Sequence, residues 1–283
     1  MPTVIIDELV TRYETIGCGP SLLMFSPGGF DATIEKWATL GIYAKTKPLE
    51  HLARHFTCIL FDRRECGKSG GRVEHVTWAH YVAQAKGLLK HLGIERAHMM
   101  GGCMGCSPVT AFAVAYPAMV QSMILFWPVG GAKYRISSAK RFAEHIEFIS
   151  ANGLPAVVSL VMETGKAFGA DPRGGPWASA IKNDPAFAER FAKLSIGPYK
   201  SIVQDMARGL IDRDTAPGAE AEALLACEIP ALIVPGADAS HATSAARYLA
   251  ECLPKSQYWD CPVEDQTEQA TAAKLLGFLR SSC

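Results

Sequence analysis

One short stretch organises this sequence, because it passes from an apolar run through closely spaced glycines into a second apolar run. It reads His98-Met99-Met100-Gly101-Gly102-Cys103-Met104-Gly105-Cys106-Ser107-Pro108. Gly101 and Gly105 stand two residues before and two residues after Cys103, which is the spacing of a nucleophile elbow, a sharp turn between a strand and a helix. The backbone of such a turn is strained and crowded, so the flanking positions favour glycine. The stretch therefore predicts Cys103 as a nucleophile.

A helix is expected to follow this turn, over 109–115. Its N-terminus would point at Cys103, where the positive end of the helix dipole favours a thiolate over a thiol. The free N–H groups of the turn could also stabilise a negatively charged oxygen that develops during a reaction. The pattern thus indicates a site for attack on an acyl group.

The composition is that of an ordinary globular chain. Its 283 residues are 49% apolar and 20% charged, enough for one large α/β core with an insertion. Lys and Arg together number 28, as do Asp and Glu. No basic surface is indicated, so neither nucleic acid nor a membrane is an expected partner. A homodimer is compatible with the sequence, and the expected partner is a small-molecule substrate.

The N-terminal segment and the cysteines indicate a cytoplasmic protein. Asp7 and Glu8 fall within the first ten residues, where a secretory signal would carry basic residues before an apolar core. No apolar run approaches the roughly 18 residues needed to cross a bilayer. The nine cysteines are scattered and odd in number, which favours reduced thiols over a disulfide framework.

Strand-like and helical patterns alternate along most of the chain. An opening hairpin is expected over 3–16. Further strands are expected over 21–26, 58–61, 97–100, 123–126, 231–234 and 257–260. Helices are expected over 48–56, 78–92, 109–115, 242–252 and 268–279. This alternation predicts a mostly parallel sheet covered by helices on both faces.

The alternation is interrupted between about 134 and 216, where no strand-like run occurs. Helical patterns over 139–151, 155–167 and 185–194 are joined by segments rich in Gly, Pro and Asp. Because strands resume at 231, we interpret this region as a helical cap inserted into the core rather than a separate helical domain. The predicted core is 1–132 with 217–283, and the predicted cap is 133–216.

Three loops, each after a predicted strand, make the chain resemble the α/β-hydrolase superfamily. Ser26-Pro27-Gly28-Gly29-Phe30 lies where that fold has its oxyanion loop, although Pro27-Gly28 replaces the usual His-Gly. The segment 62–69 is similar to the family's D-x-R-G-x-G-x-S loop, with Glu65 in a glycine position. The third loop is the elbow. The resemblance implies an eight-stranded, mostly parallel sheet flanked by helices, with an inserted helical cap and no required cofactor.

The resemblance also implies a role for each of five positions. Cys103 would be the nucleophile, and the backbone N–H groups of Met104 and of Gly29 or Phe30 would form the oxyanion hole. Asp238, which follows the strand at 231–234, would be the acid of a catalytic triad. The alternative for Asp238 is a turn or cap residue before the next helix.

The histidine of the family's triad is missing from its usual place. The loop at 260–267 reads Asp-Cys-Pro-Val-Glu-Asp-Gln-Thr, and no histidine occurs from 242 onward. His241, three residues after Asp238, is the nearest candidate for a substitute base, with a packing or capping role as its alternative. Glu264 and Glu65 are carboxylates near the same sheet edge. A carboxylate, however, is a poor base for a thiol unless burial raises its pKa.

Two other kinds of site have weaker support. Cys103 and Cys106 have the C-x-x-C spacing of redox motifs, yet the glycines around them belong to the elbow, and Cys106 is expected to face the packed side of its helix. No second Cys or His pair with zinc-ligand spacing occurs. We therefore expect neither a redox centre nor a metal site.

Three functions remain open from the sequence. The first is hydrolysis of a small ester, lactone, thioester or carbon–carbon bond by acyl transfer through Cys103. The second is a lyase-type reaction on the same fold, and the third is a binding protein that has lost turnover. Hydrolysis is the leading hypothesis, and the missing histidine adds weight to the other two, since a fold does not fix a function. Aromatic residues of the cap would shape the substrate site or fill the cap's own core: Trp177, Phe187, Phe191 and Tyr199.

Overall fold

Eight strands form the predicted sheet in the computed structural model, which describes residues 1–211 and 213–282. They are Thr3–Ile6 (β1), Leu9–Ile16 (β2), Ser21–Phe25 (β3), Thr57–Phe61 (β4), Ala97–Gly102 (β5), Val120–Phe126 (β6), Ala231–Val234 (β7) and Ser256–Tyr258 (β8). Their order across the sheet is β1-β2-β4-β3-β5-β6-β7-β8. β2 is antiparallel to both neighbours, and the pairings from β4 to β8 are parallel. The predicted fold class is confirmed.

Helices cover both faces of the sheet. Those before the end of β6 are Lys36–Thr39 (α1), Gly41–Thr46 (α2), Pro48–Leu52 (α3), Trp78–His91 (α4) and Cys106–Ala115 (α5). Those that follow are Ala132–Thr164 (α6), Ala178–Asn183 (α7), Pro185–Ala192 (α8), Ile196–Ile211 (α9), Ala221–Leu225 (α10), Thr243–Cys252 (α11) and Glu268–Ser281 (α12). Neighbouring strand residues point to opposite faces. Met99 accordingly packs in the apolar layer under α4, α5 and α11, and Met100 in the layer under α1, α2, α3 and α12.

Between β6 and β7 the chain leaves the sheet and forms α6 to α9, residues 132–211, which we call the helical insertion. The insertion has an apolar core of its own, in which Trp177, Tyr199 and Val203 are fully buried. Met104 and Phe30, from two loops at the end of the sheet, pack against the same core. The insertion therefore lies over the end of β5, where the elbow is.

The longest helix begins earlier than predicted, at Ala132, and ends at Thr164. The patterns at 139–151 and 155–167 predict two helices, and α6 is divided between them by non-helical backbone at Gly153, which has a φ of 78°. Pro155 lies two residues after the kink. A proline has no backbone N–H to donate within a helix, so it favours a break at this point. The short helices α1 and α2 and the long helix α9 have no counterpart in the prediction.

By length and composition alone, α6 is also apolar enough to cross a membrane. The sequence analysis found no apolar run of that length because charged residues recur through the segment. In the fold, Phe142, Ile149, Val157 and Val161 from this helix are buried in the core of the insertion. One side of α6 thus packs into the core of the insertion.

Candidate active site

The turn after β5 has the strained geometry of a nucleophile elbow. Cys103 has a φ of 55°, in the left-handed region that residues with a side chain rarely adopt. A Cβ on Gly101 would lie 2.4 Å from the carbonyl oxygen of Gly105, and one on Gly105 would lie 2.4 Å from that of Phe25. The two glycines therefore allow the backbone to close tightly around Cys103. The thiol is half-buried and lines a cavity.

The parallel register brings four loops together at this end of the sheet. Phe25 of β3 pairs with Gly101 of β5, Gly102 with Phe126 of β6, and Phe126 with Val234 of β7. Because these strands end at the same level, the loops that follow them emerge side by side. This is the physical reason why residues far apart in sequence meet at Cys103.

Asp238 and His241 form a bonded pair in the loop after β7. Both carboxylate oxygens of Asp238 lie 2.9 Å from Nδ1 of His241. Oδ1 also accepts the backbone N–H groups of Ser240 and His241, each at 2.8 Å. Asp238 thus closes the turn, as a cap residue would, and also holds the imidazole in the way that a triad acid would. With Nδ1 on the carboxylate, Nε2 is the nitrogen left for the thiol.

His241 and Cys103 shift each other's pKa. Burial alone would raise the pKa of the thiol and lower that of the imidazole, but their mutual interaction, with Asp238 behind the imidazole, reverses both effects. The pKa of Cys103 is lowered, and that of His241 rises to about 9. Nε2 of His241 is buried and has no conventional hydrogen-bond partner among the residues described. Both shifts favour a thiolate beside an imidazolium over the neutral pair.

Two backbone N–H groups face the Cys103 sulfur and help to lower its pKa, those of Gly28 and Met104. Met104 was predicted as one donor of an oxyanion hole. The second donor was predicted at Gly29 or Phe30, and both residues line the cavity. The other N–H on the sulfur belongs to Gly28 in the same loop, which also lines the cavity. The buried Arg63 holds this loop, because its Nη2 donates to the carbonyl oxygen of Gly29.

The loop after β8, which lacks the expected histidine, contributes Gln266 to the site's support. Its side-chain oxygen accepts the indole N–H of Trp127 at 2.8 Å, and its amide nitrogen donates to the carbonyl oxygens of Pro235 at 2.9 Å and Cys261 at 3.2 Å. The Trp127 ring in turn lies beside the His241 imidazole. The fully buried Gln266 thereby ties the loops after β6, β7 and β8 together.

The cavity over Cys103 has a volume of about 340 Å³ and is mainly apolar. It is enclosed by the loop after β3, the elbow, His241 and the helical insertion. The insertion contributes Tyr134, Ser138, Arg141, Phe142, Phe168, Gly169 and Ile211. The four aromatic residues considered from the sequence, Trp177, Phe187, Phe191 and Tyr199, do not line it and are buried in the insertion's core.

The other candidate groups do not meet the thiol. Cys106 is buried, and its Sγ donates to the carbonyl oxygen of Gly101 at 3.1 Å. Glu264 is exposed. Glu65 is buried against Arg64, outside the cavity, and its φ of 65° explains why the family pattern has glycine there. No group of three or more metal-binding side chains occurs in the described ranges 1–211 and 213–282.

Comparison with known proteins agrees with the fold. A family model described as the alpha/beta hydrolase fold matches residues 22–149. Over 126 residues the chain is 49% identical to 2-hydroxy-6-oxo-6-phenylhexa-2,4-dienoate hydrolase of Comamonas testosteroni, a match that covers 44% of this chain and 42% of the relative. A match of 29% over 125 residues to the dihydrolipoyllysine-residue acetyltransferase component of the acetoin cleaving system of Cupriavidus necator covers 44% and 31%. The chain thus spans less than half the length of these curated relatives.

Solved structures resemble the whole chain. The enol-lactonase from Burkholderia xenovorans covers 99% of this chain and all of its own, with a TM-score of 0.63 at 17% identity. A meta-cleavage product hydrolase from Pseudomonas fluorescens covers 100% of this chain and 98% of its own, with a TM-score of 0.61 at 16% identity. At such identities the likeness concerns the fold alone. Sheet order, family model and solved structures agree on the α/β-hydrolase fold for this chain.

Proposed function

We propose that this protein is a hydrolase that cleaves a small carbonyl compound by acyl transfer through Cys103. The observation that carries the proposal is the Asp238–His241 pair beside the thiol, with the pKa of Cys103 lowered and that of His241 raised. The relatives named as hydrolases support the reaction class. His241 would take the place of the family's missing histidine.

In the first half of the reaction, the Cys103 thiolate attacks the substrate carbonyl carbon, and the negative charge moves to the carbonyl oxygen. The N–H groups of Met104 and Gly28 are available to stabilise that oxygen. The tetrahedral intermediate collapses and breaks the bond to the leaving group, which accepts the proton of the His241 imidazolium. A thioester on Cys103, a free leaving group and a neutral imidazole result.

In the second half, neutral His241 takes a proton from water, and the resulting hydroxide attacks the thioester carbonyl. Collapse of this intermediate expels the thiolate and releases a carboxylic acid. The thiolate–imidazolium pair is restored. The helical insertion acts as a cap in this scheme, since it closes the cavity above the thiol and keeps bulk water out of the acylation step.

The substrate would be an ester, a lactone, a thioester or a compound with a hydrolysable carbon–carbon bond. An enol-lactonase and a meta-cleavage product hydrolase are among the proteins of similar fold. A cavity of about 340 Å³ suits a small molecule, at the lower end of ordinary ligand sites.

The test is mass spectrometry of the intact protein after mixing with p-nitrophenyl acetate. We expect a transient acetyl adduct on Cys103 that decays as acetate is released. Cys103→Ala should abolish the adduct and the release of nitrophenol, whereas Cys18→Ala, at an exposed cysteine, should leave both intact. Turnover with no adduct, unaffected by Cys103→Ala, would refute the mechanism.

The alternatives give different results in the same set of experiments. A lyase-type enzyme would convert its substrate without incorporating oxygen from labelled water. A binding protein would show thermal stabilisation by ligands but no turnover of any activated ester. Either outcome would overturn the hydrolase proposal.

A further inference from the structure

One cation on the wall of the cavity has no anionic partner. Arg141 of α6 lines the cavity over Cys103, and no carboxylate lies within 4.0 Å of its guanidinium among the residues described. Two other basic residues of the helix form salt bridges: Lys140 with Glu144 at 3.8 Å, and Arg135 with Asp214 at 2.7 Å. Arg141 is therefore the basic residue of this helix that faces the cavity without a counter-ion.

Two hydroxyl groups accompany Arg141 on the same side of α6. Tyr134 and Ser138 are four residues apart, Arg141 follows three residues later, and all three line the cavity. Tyr134 and Ser138 are buried, and the Tyr134 hydroxyl hydrogen-bonds with Ser138 and interacts electrostatically with Cys103, Arg63 and Arg141. Tyr134, Ser138 and Arg141 thus bring the polar groups of α6 to the cavity wall.

The remaining charged group of the cavity wall is His241. Its charge is already matched by Asp238 and the Cys103 thiolate. No Asp or Glu lines the cavity among the residues described. Among the described residues that line the cavity, Arg141 therefore presents a positive charge without a counter-ion to a bound ligand, in mainly apolar surroundings where a charge interaction is strong.

We propose that Arg141, with Tyr134 and Ser138, binds a carboxylate at the end of the substrate remote from the scissile carbonyl. The inference rests on the proposed function, and it narrows the substrate to an acid that carries an ester, thioester or ketone at its other end. A guanidinium presents two parallel N–H groups that match a carboxylate, and hydroxyls can donate to the outer oxygen lone pairs. One cation balances a carboxylate, whereas a phosphate would bring nearly two charges.

The test compares two substrates that differ in one charge: the mono-p-nitrophenyl ester of glutaric acid and the p-nitrophenyl ester of monomethyl glutarate. We expect the wild-type kcat/KM to favour the acid by about tenfold or more. Arg141→Gln should reduce that preference to near one, and Arg141→Lys should retain part of it. Lys140→Gln removes the same charge from the solvent side of the helix and should leave the preference unchanged.

A second readout does not need turnover. Glutarate should slow the alkylation of Cys103 by iodoacetamide in the wild type and in Lys140→Gln, but not in Arg141→Gln. If neither ester is hydrolysed while glutarate protects in this pattern, the carboxylate site stands and the hydrolase proposal fails. If Arg141→Gln keeps the preference for the acid, or if glutarate protects it equally well, the carboxylate site is refuted.

Discussion

The ring of Trp127 lies beside the imidazole of His241, with 5.4 Å between the ring centres. Trp127 has a φ of 54°, so the chain leaves β6 in a strained turn that presents the indole to the loop after β7. The same indole is fixed by Gln266 from the loop after β8. A histidine is thus absent from the last loop, but that loop still supports the imidazole that faces Cys103.

Gln266→Leu should weaken this support. The substitution leaves the Trp127 N–H and the carbonyl oxygens of Pro235 and Cys261 without their present partner, at a cost of about 2–4 kcal/mol in the free energy of unfolding. Urea denaturation measures that loss. Gln257→Leu, at an exposed position of β8, is the matched control and should change stability little. Equal stability of the two variants would contradict the supporting role of Gln266.

The thiolate on Cys103 should depend on His241. Because the interaction with His241 lowers the pKa of Cys103, the rate of alkylation by iodoacetamide should already be high at neutral pH. In His241→Gln the inflection should move to higher pH. An ordinary thiol is only about 3% ionised at pH 7, so the rate there should fall by up to about 30-fold.

Peptide mapping separates Cys103 from the other cysteines in this experiment, and the exposed Cys18 serves as the internal reference in each sample. Hydrolysis should also decline on the basic side as His241 loses its proton near pH 9. An alkylation profile that is the same in both proteins would show that the imidazole does not control the thiol.

Much of the fold follows from local sequence. The glycines around Cys103 predict the elbow because no other residue fits where a Cβ would touch a carbonyl oxygen at 2.4 Å. Apolar runs flanked by turn residues locate the strands to within a few residues, as in β3 and β4. The break in α6 at Gly153 lies between the two helices predicted at 139–151 and 155–167. The short helices α1 and α2 were not predicted, because tertiary packing rather than periodicity determines them.

Only those parts of the site that are formed by residues close together in sequence could be predicted. Asp238 and His241 are three residues apart, so their pairing could be proposed from the sequence. Gln266 and Trp127 meet His241 through the order of the strands, and nothing in their local sequence indicates that contact. Arg141 gave no signal either, since which face of a cap helix meets the cavity depends on how the insertion packs.

Glu65 should make stability depend on pH. Burial raises the pKa of its carboxyl from 4.5 to about 7, so the folded protein holds this proton more tightly than the unfolded chain. The protonated carboxyl contributes about 3 kcal/mol to the free energy of unfolding. This stabilisation is fully present below about pH 4.5 and is lost as the pH rises towards 7. Glu65→Gln should therefore flatten the pH dependence of the unfolding free energy between pH 5 and 8. Glu8→Gln, at a side chain that is 90% exposed, should leave it unchanged.

Gly236→Ala should displace His241 without unfolding the protein. A Cβ at this position would lie 2.6 Å from the Cβ of His241 and 3.0 Å from Cδ2 of Trp127, so His241 must shift from its present position beside the thiol. A shift of about 1 Å at a catalytic group can reduce kcat/KM by roughly 100-fold. The control is Gly277→Ala in α12, where a Cβ meets nothing within 4 Å and alanine favours the helix by up to about 1 kcal/mol. Hydrolysis of p-nitrophenyl acetate and thermal unfolding should be measured for both variants. Full activity in Gly236→Ala would mean that the position of His241 beside Cys103 is not required for the reaction.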